Sequence, residues 1–397
     1  MSVVNEIKNN SYNQFKKLGY PTKKLENWKF SNSSHLKKYN TIISDSNIDI
    51  KEYLKIKNTL CFLNGALIKE SLENCDFKNE ILISNTIDIK EKDTIKMSEN
   101  FNNEALFNLG IAKFNEGIFI EFKKGNKDHI QINVINIYDK KSENMFAPTF
   151  NIFKLNKKNN VSIFEKDINH GFDSFNLRIN KFICDDDSIL NHSSIYQDDT
   201  QSNLLRYNYY QANTNTIINI DSFNCESSFN KDFIEIDLDK SGAEATVNAL
   251  NLTKNDEHAD NNILINHKSE HCNSSQNVRN ILQNKSTSVF NGKVIVFEGA
   301  QKTDSNQSNK NLLLSKEATA HSNPQLEIYA DDVQCGHGST TGALDKNSIF
   351  YFQSRGINKE DAIQILVKAF AHTVIKTFSD DNIKKNAQAY IDKWMNE

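Results

Sequence analysis

Between Gly117 and Val333 the chain is a succession of short β-rich runs. Among them are GIFIEF, IQINVINIY, TFNIFKL, VSIFEKD, LRINKFIC, DFIEIDL, ATVNALNL, NILIN and SVFNGKVIVF, recurring every 10 to 17 residues or so. Ile234, Ile236 and Leu238 alternate with Glu235, Asp237 and Asp239, so that run has one apolar and one charged face. Helical periodicity is absent from the region. Such a chain must bury many strand faces, and its composition restricts how. Only 3 Pro and 13 Gly occur in 397 residues, so the tight hairpins of a meander are poorly supplied, and Asn and Asp stand at the corners instead. Short strands with one buried face and Asn-rich corners suit a coil of stacked rungs, a β-helix. A β-sandwich is the physical rival, and periodicity alone does not separate the two.

The flanks read differently. Val4, Ile7, Phe15 and Leu18 stand at helical spacing, with Gly19 and Pro21 as stop signals. In PTKKLENWKF, Trp28 and Phe30 anchor a turn on the core. From Thr41 to Glu104, apolar runs such as LCFLNGALI alternate with polar stretches, as in a small mixed domain. Beyond Gly356, Asn358 caps a helix whose stripe is Ile363, Leu366, Val367 and Phe370; a second stripe follows through Ile383, Ala387, Tyr390, Ile391 and Trp394. The division expected is an N-terminal helical and mixed domain over 1–105, a β core over 106–345 and a C-terminal helical domain over 346–397.

Charge excludes little except a nucleic-acid partner: 47 Lys and Arg against 51 Asp and Glu leave a net charge of −4 with no basic field. No apolar run approaches a membrane span, and the N-terminus lacks the order of a secretory signal. The expectation is a cytoplasmic protein with no membrane contact. The six cysteines lie far apart with no Cys-x-x-Cys pair, which fits neither a disulfide framework nor a self-contained metal site.

Chemistry is concentrated between His321 and Gly356, HSNPQLEIYADDVQCGHGSTTGALDKNSIFYFQSRG. Leu326, Ile328 and Ala330 alternate with Gln325, Glu327 and Tyr329, and the strand is expected to continue through Asp331 to Gly338. Cys335 and His337 then project from one face, a soft thiolate beside an imidazole, a pair suited to Fe, Zn or Cu(I). Alone, Cys-x-His is equally the mark of a buried free cysteine near a surface histidine. His267, His271 and Cys272 form a weaker ligand cluster, for which hydrogen bonding at a corner is the plainer account. No Gly-Lys-Ser/Thr follows Gly336, Gly338 and Gly342, so the chain lacks an ATPase phosphate loop. A parallel β-helix polysaccharide hydrolase or lyase is the alternative function, with Asp331, Asp332 and His337 as acid, base and polariser; adjacent aspartates on a strand face oppositely, which counts against it.

The string PQLEIYADDVQCGHGSTTGALDKNSIFYFQSRGI closely resembles the C-terminal signature of SufD-like proteins, scaffold subunits of the SUF iron–sulfur cluster assembly machinery (the SufB/SufD family). The resemblance extends through FNGKVIVFEGAQKTDSNQSNKNLLLS and NHKSEHCNSS, weakly to PTKKLENWKF, and only in general character over 40–240. It implies a mainly β fold: a right-handed parallel β-helix core flanked by a small N-terminal α/β region and C-terminal helices. It also implies a non-catalytic scaffold that pairs with a SufB-like subunit and carries the ATPase SufC on its C-terminal helices. The isolated chain is open to forming a homodimer. A transient iron–sulfur cluster at the SufB interface is implied, with His337 the stronger ligand or proton carrier and Cys335 secondary; a reduced FAD is a further cofactor of the assembled complex. Where SufB-like chains carry a cluster-site cysteine, this sequence has Lys310.

Overall fold

The computed structural model describes residues 3–39, 51–75, 81–90, 92–123, 129–170 and 172–396; parts of the mixed N-terminal stretch, 40–50 and 76–80, lie outside the described residues. The β-rich runs form mostly ten-residue strands, each paired in parallel with the strand one full turn away. His129–Tyr138 lies beside Asn160–Asn169 and Phe146–Leu155 beside Phe175–Cys184; both rows continue into the two halves of the long strand Ile189–Ala212. One face then runs through Glu244–Thr253, Asn273–Leu282, Asp304–Leu313 and Gln334–Ala343. The other runs through His258–His267, Thr287–Val296 and Thr319–Ile328. Register partners are 28 residues apart at Ile189 and Ile217 and 32 apart at Thr287 and Thr319. Half of that spacing falls inside the interval read from the sequence, because each turn holds two strands. The outcome is a β-solenoid of about seven turns, and the parallel ladders decide against the antiparallel sandwich.

Corners explain how the chain turns with so little glycine. Lys158, Asp187, Asn215, His271 and Lys302 all have positive φ and stack in one row, in which Gly242 takes the remaining place. The amide of each bonds the carbonyl one rung on: Asp187 to Thr214, Asn215 to Ser241, His271 to Gln301 and Lys302 to Asp332. Asn and Asp enter this left-handed conformation more readily than other non-glycine residues, because their short side chains bond locally.

Inside the bore, Ile234, Ile236, Leu238, Ile263, Ile265, Val294 and Val296 form an apolar core. Elsewhere the interior carries charge in ion pairs. Arg178 pairs with Glu165 and Asp167, and Arg206 with Asp232, all nearly inaccessible to solvent. The charged face read for Ile234–Asp239 is not left in water: Glu235 is buried beneath the N-terminal region and receives hydrogen bonds from Ser98 and Asn100.

The N-terminal helix Val3–Leu18 packs on Ala105–Lys113. Trp28 is fully buried, its Nε1 donating to Glu104 at 3.0 Å, and Phe30 stacks on His321 at 3.9 Å. Ahead of the first full turn, Thr59–Leu63 pairs in parallel with His129–Tyr138. This end of the ladder is finished by antiparallel strands, Ala66–Leu67 and Ile81–Asn85.

Three helices, Lys346–Gln353, Lys359–Ile375 and Asp381–Asn396, follow the solenoid. Asn358 caps the second, accepting the Asp361 N–H at 2.7 Å. Val367, Ala371, Val374, Ile383, Ile391 and Trp394 pack onto Phe223, Leu250, Leu252 and Ile281. The apolar stripes therefore bury a flank of the solenoid, while Lys346–Gln353 leaves Phe350 and Tyr351 exposed.

Candidate functional site at the mouth of the solenoid

The strand read as continuous from Leu326 to Gly338 is broken. Thr319–Ile328 ends before a corner, at which Lys302 pairs with the Asp332 carboxylate, and Gln334–Ala343 begins on the other face. The physical reason is the rung itself, which switches faces every ten residues. Cys335 and His337 still share a side, because both lie in the second strand.

That side faces the bore. In the preceding rung Ser305, Gln307, Asn309 and Asn311 are buried while Asp304, Asn306 and Lys310 are exposed. Their register partners are Cys335, His337, Ser339 and Thr341 for the buried set. Cys335 packs against the interior core. Ser339 Oγ donates to Ser322 Oγ of the opposite wall at 2.7 Å. His337, between Cys335 and Ser339, stands exposed at the open end. Each column changes character toward that end. Ala245 gives way to Ser274, Ser305 and Cys335; Val247 gives way to Gln276, Gln307 and His337. Apolar filling thus becomes hydroxyl and amide, then thiol and imidazole.

Both strands of this last rung are paired on one side only. Thr319–Ile328 pairs with Thr287–Val296 and Gln334–Ala343 with Asp304–Leu313, and no described strand pairs with their other edges. Such edges present unmet backbone donors and acceptors and are templates for a further chain.

Burial pushes the Cys335 thiol above its ordinary value, and the Asp304 charge adds to this; the Ser305 backbone N–H opposes. The thiol therefore keeps its proton at neutral pH until an electrophile or metal displaces it. Behind it runs a hydrogen-bonded file. Ser305 Oγ meets Ser274 Oγ at 2.8 Å, and Ser274 meets His267 Nε2 at 2.8 Å. The direction of two shifts decides whether this file carries the thiol proton away. Burial holds His267 down at about 4 while it pushes the thiol up, so the two shifts oppose transfer and the imidazole does not take the thiol proton. His267 is a hydrogen-bonding partner of the wall, its Nδ1 also facing Thr303 Oγ1 at 3.4 Å.

The weaker candidates do not converge. His267 is buried in the bore, His271 occupies a left-handed corner, and the Cys272 thiol donates to the Lys240 carbonyl at 3.2 Å. Among the described residues no three His, Cys, Asp or Glu side chains form a metal-holding group. Lys310 lies on the outward face, in register with Arg279 and Thr340. Asp331 and Asp332 are exposed at the corner. Sequence reasoning missed Gln276 and Gln307, whose only signal is the register of rungs 29 to 31 residues apart, and Ser322 and Ser339, which meet across the bore.

A parallel solenoid with an open final rung and an inward thiol–imidazole pair defines a class, and the chain belongs to the SufB/SufD family: residues 137–370 match the SufBD core domain of SUF system FeS cluster assembly. Among relatives, the iron–sulfur cluster assembly protein SufD of Escherichia coli is 41% identical over 145 residues, 36% of this chain and 34% of that one. A SufBD family protein of Synechocystis is 42% identical over 95 residues, covering 24% of this chain and 21% of its own. SufD of Bacillus subtilis is 32% identical over 113 residues, 28% and 26% respectively. The matched stretches thus span about a third or less of these relatives. No helix among the described residues is long and apolar enough to cross a membrane.

Proposed function

We propose that the chain is a SufD-like, non-catalytic scaffold subunit that pairs with a SufB-like subunit through the open edges of its last rung. In this reading the iron–sulfur cluster, the cargo of the machinery, is assembled at the mouth, with His337 as a ligand and Cys335 as a secondary ligand or sulfur acceptor. The observation that carries it is the inward-facing Cys335 and His337 on a strand whose outer edge is unpaired. Chemistry supports the need for a partner. One thiol and one imidazole are two donors, whereas clusters are held by about four, and the outward position of Lys310 supplies no third. A SufC-like ATPase is placed on the C-terminal helices, where Phe350 and Tyr351 are 71% and 53% exposed. A reduced FAD, in this reading, belongs to the assembled complex: the cleft of about 310 Å³ on the solenoid flank of this chain is lined by Glu26, Glu104 and Glu235 against the single cation Lys293, a poor match for a pyrophosphate.

The test is reconstitution with SufB-like and SufC-like chains, reading iron and acid-labile sulfide per complex. His337→Ala should assemble normally and lose the cluster. Cys335→Ala should show a partial defect, because a partner cysteine still holds iron. Normal cluster yield in His337→Ala would refute the reading.

A further inference from the structure

We infer that Gln307 is a positioning residue for His337: its amide oxygen receives one ring N–H, turning the lone pair of the other ring nitrogen to the mouth. The inference rests on the reading above, in which His337 binds iron.

Gln307 is 1% exposed, faces the bore and is the register partner of His337. Neighbouring strands are about 4.8 Å apart, so amide and imidazole meet by side-chain rotation alone. The Gln307 amide is already oriented, since Nε2 donates to the Gln325 carbonyl at 3.3 Å. Oε1 is left buried with no hydrogen-bond partner. An unmet buried acceptor is costly, and a donor close by is the physical remedy. One rung deeper, Gln276 is also 1% exposed with both amide atoms unpartnered. Beneath it, Val247 offers nothing polar. On the opposite wall Phe290, Pro324 and Leu326 carry no side-chain donor, and the Ser322 hydroxyl lies against Ser339. Along the Gln307 column itself the donors in register are the Gln276 amide from below and the His337 ring from above. A neutral imidazole carries a single N–H, and the acceptor it meets decides which nitrogen keeps it.

The experiment uses the full chain with ¹⁵N-labelled histidine at one fixed pH above neutrality. Long-range ¹H–¹⁵N spectra report the tautomer of His337, whose signals are those lost in His337→Ala. Wild type should show one tautomer. Gln307→Met, similar in size but without an acceptor, should show a mixture, and Gln307→Glu, which keeps the acceptor, should show the wild-type form. In the reconstituted complex, Gln307→Met should lower cluster yield about tenfold or more, with Gln307→Glu restoring most of it. An unchanged tautomer in Gln307→Met overturns the inference whatever the yield. So does loss of the wild-type tautomer in Gln307→Glu, an arm independent of how well Gln307→Met folds. Mixed tautomers with normal yield would uphold the orientation and refute the ligand reading beneath it.

Discussion

Replacing His267 by Gln separates a structural imidazole from a chemical one. Burial holds His267 at about 4 against an ordinary 6.5. Because the folded value lies below the unfolded one, the unfolded chain takes up the proton first. The stability owed to the neutral ring is complete above pH 6.5 and is lost as pH falls to 4. That difference of 2.5 units is worth about 3 kcal/mol. His258 behaves alike, held at about 4 chiefly by burial, stacked on Phe229 and bonded to Ser31. Glu235 acts in the opposite sense. Burial raises it from 4.5 to about 7, so its contribution is complete below 4.5 and lost as pH rises through 7, again about 3 kcal/mol. Burial also lowers His35 and His321 and raises Asp167 and Asp221, so several groups shape the acid limb together. In His267→Gln one imidazole is gone, so the loss of urea-unfolding free energy between pH 6.5 and 4 should be smaller than in wild type by about 3 kcal/mol. Gln Nε2 can still meet Ser274, so cluster yield at neutral pH should stay within about twofold. An unchanged acid slope would refute the electrostatic reasoning. A folded His267→Gln chain that fails to assemble a cluster would refute the structural role.

Three further outcomes follow from burial. Asp232→Ala strands the Arg206 guanidinium, 1% exposed and bonded at 2.6 Å through Nη2, and should cost about 3–5 kcal/mol, whereas replacing both partners by apolar residues should restore much of this in thermal unfolding. Trp394→Ala should cost about 3–5 kcal/mol; Trp394→Phe should cost far less, because Nε1 has no hydrogen-bond partner to lose. Phe350→Ala with Tyr351→Ala should leave the thermal midpoint unchanged yet weaken ATPase retention about tenfold in pull-downs; retention at wild-type strength would move that interface elsewhere.

The spacing of the β runs and the scarcity of glycine and proline made a rung architecture legible, and both C-terminal stripes were readable because helix faces depend on local periodicity. The turn at Tyr329–Val333 was not, since Ala330 continues the alternation of Leu326 and Ile328 and only the length of a rung demands a corner there. Cys335 and His337 were visible as a pair within one strand. Gln307 was hidden, because its relation to the pair is a register between turns some 30 residues apart, and Ser339 because what it meets, Ser322, lies on the opposite wall. Burial of Glu235 was hidden for the same reason: its cover, Ser98 and Asn100, comes from a different part of the chain.

The unequal ends of the ladder govern what the protein can polymerise into. A parallel stack with two free ends would grow without limit, each copy seating on the last. Here the strands Ala66–Leu67 and Ile81–Asn85 run against the ladder at one end, so among the described residues the two ends offer a neighbour different edges. Under the pairing proposed above, a last rung that meets the last rung of an identical copy or a sister chain uses up both edges and closes at two, whereas a head-to-tail contact would leave an edge free to add further copies.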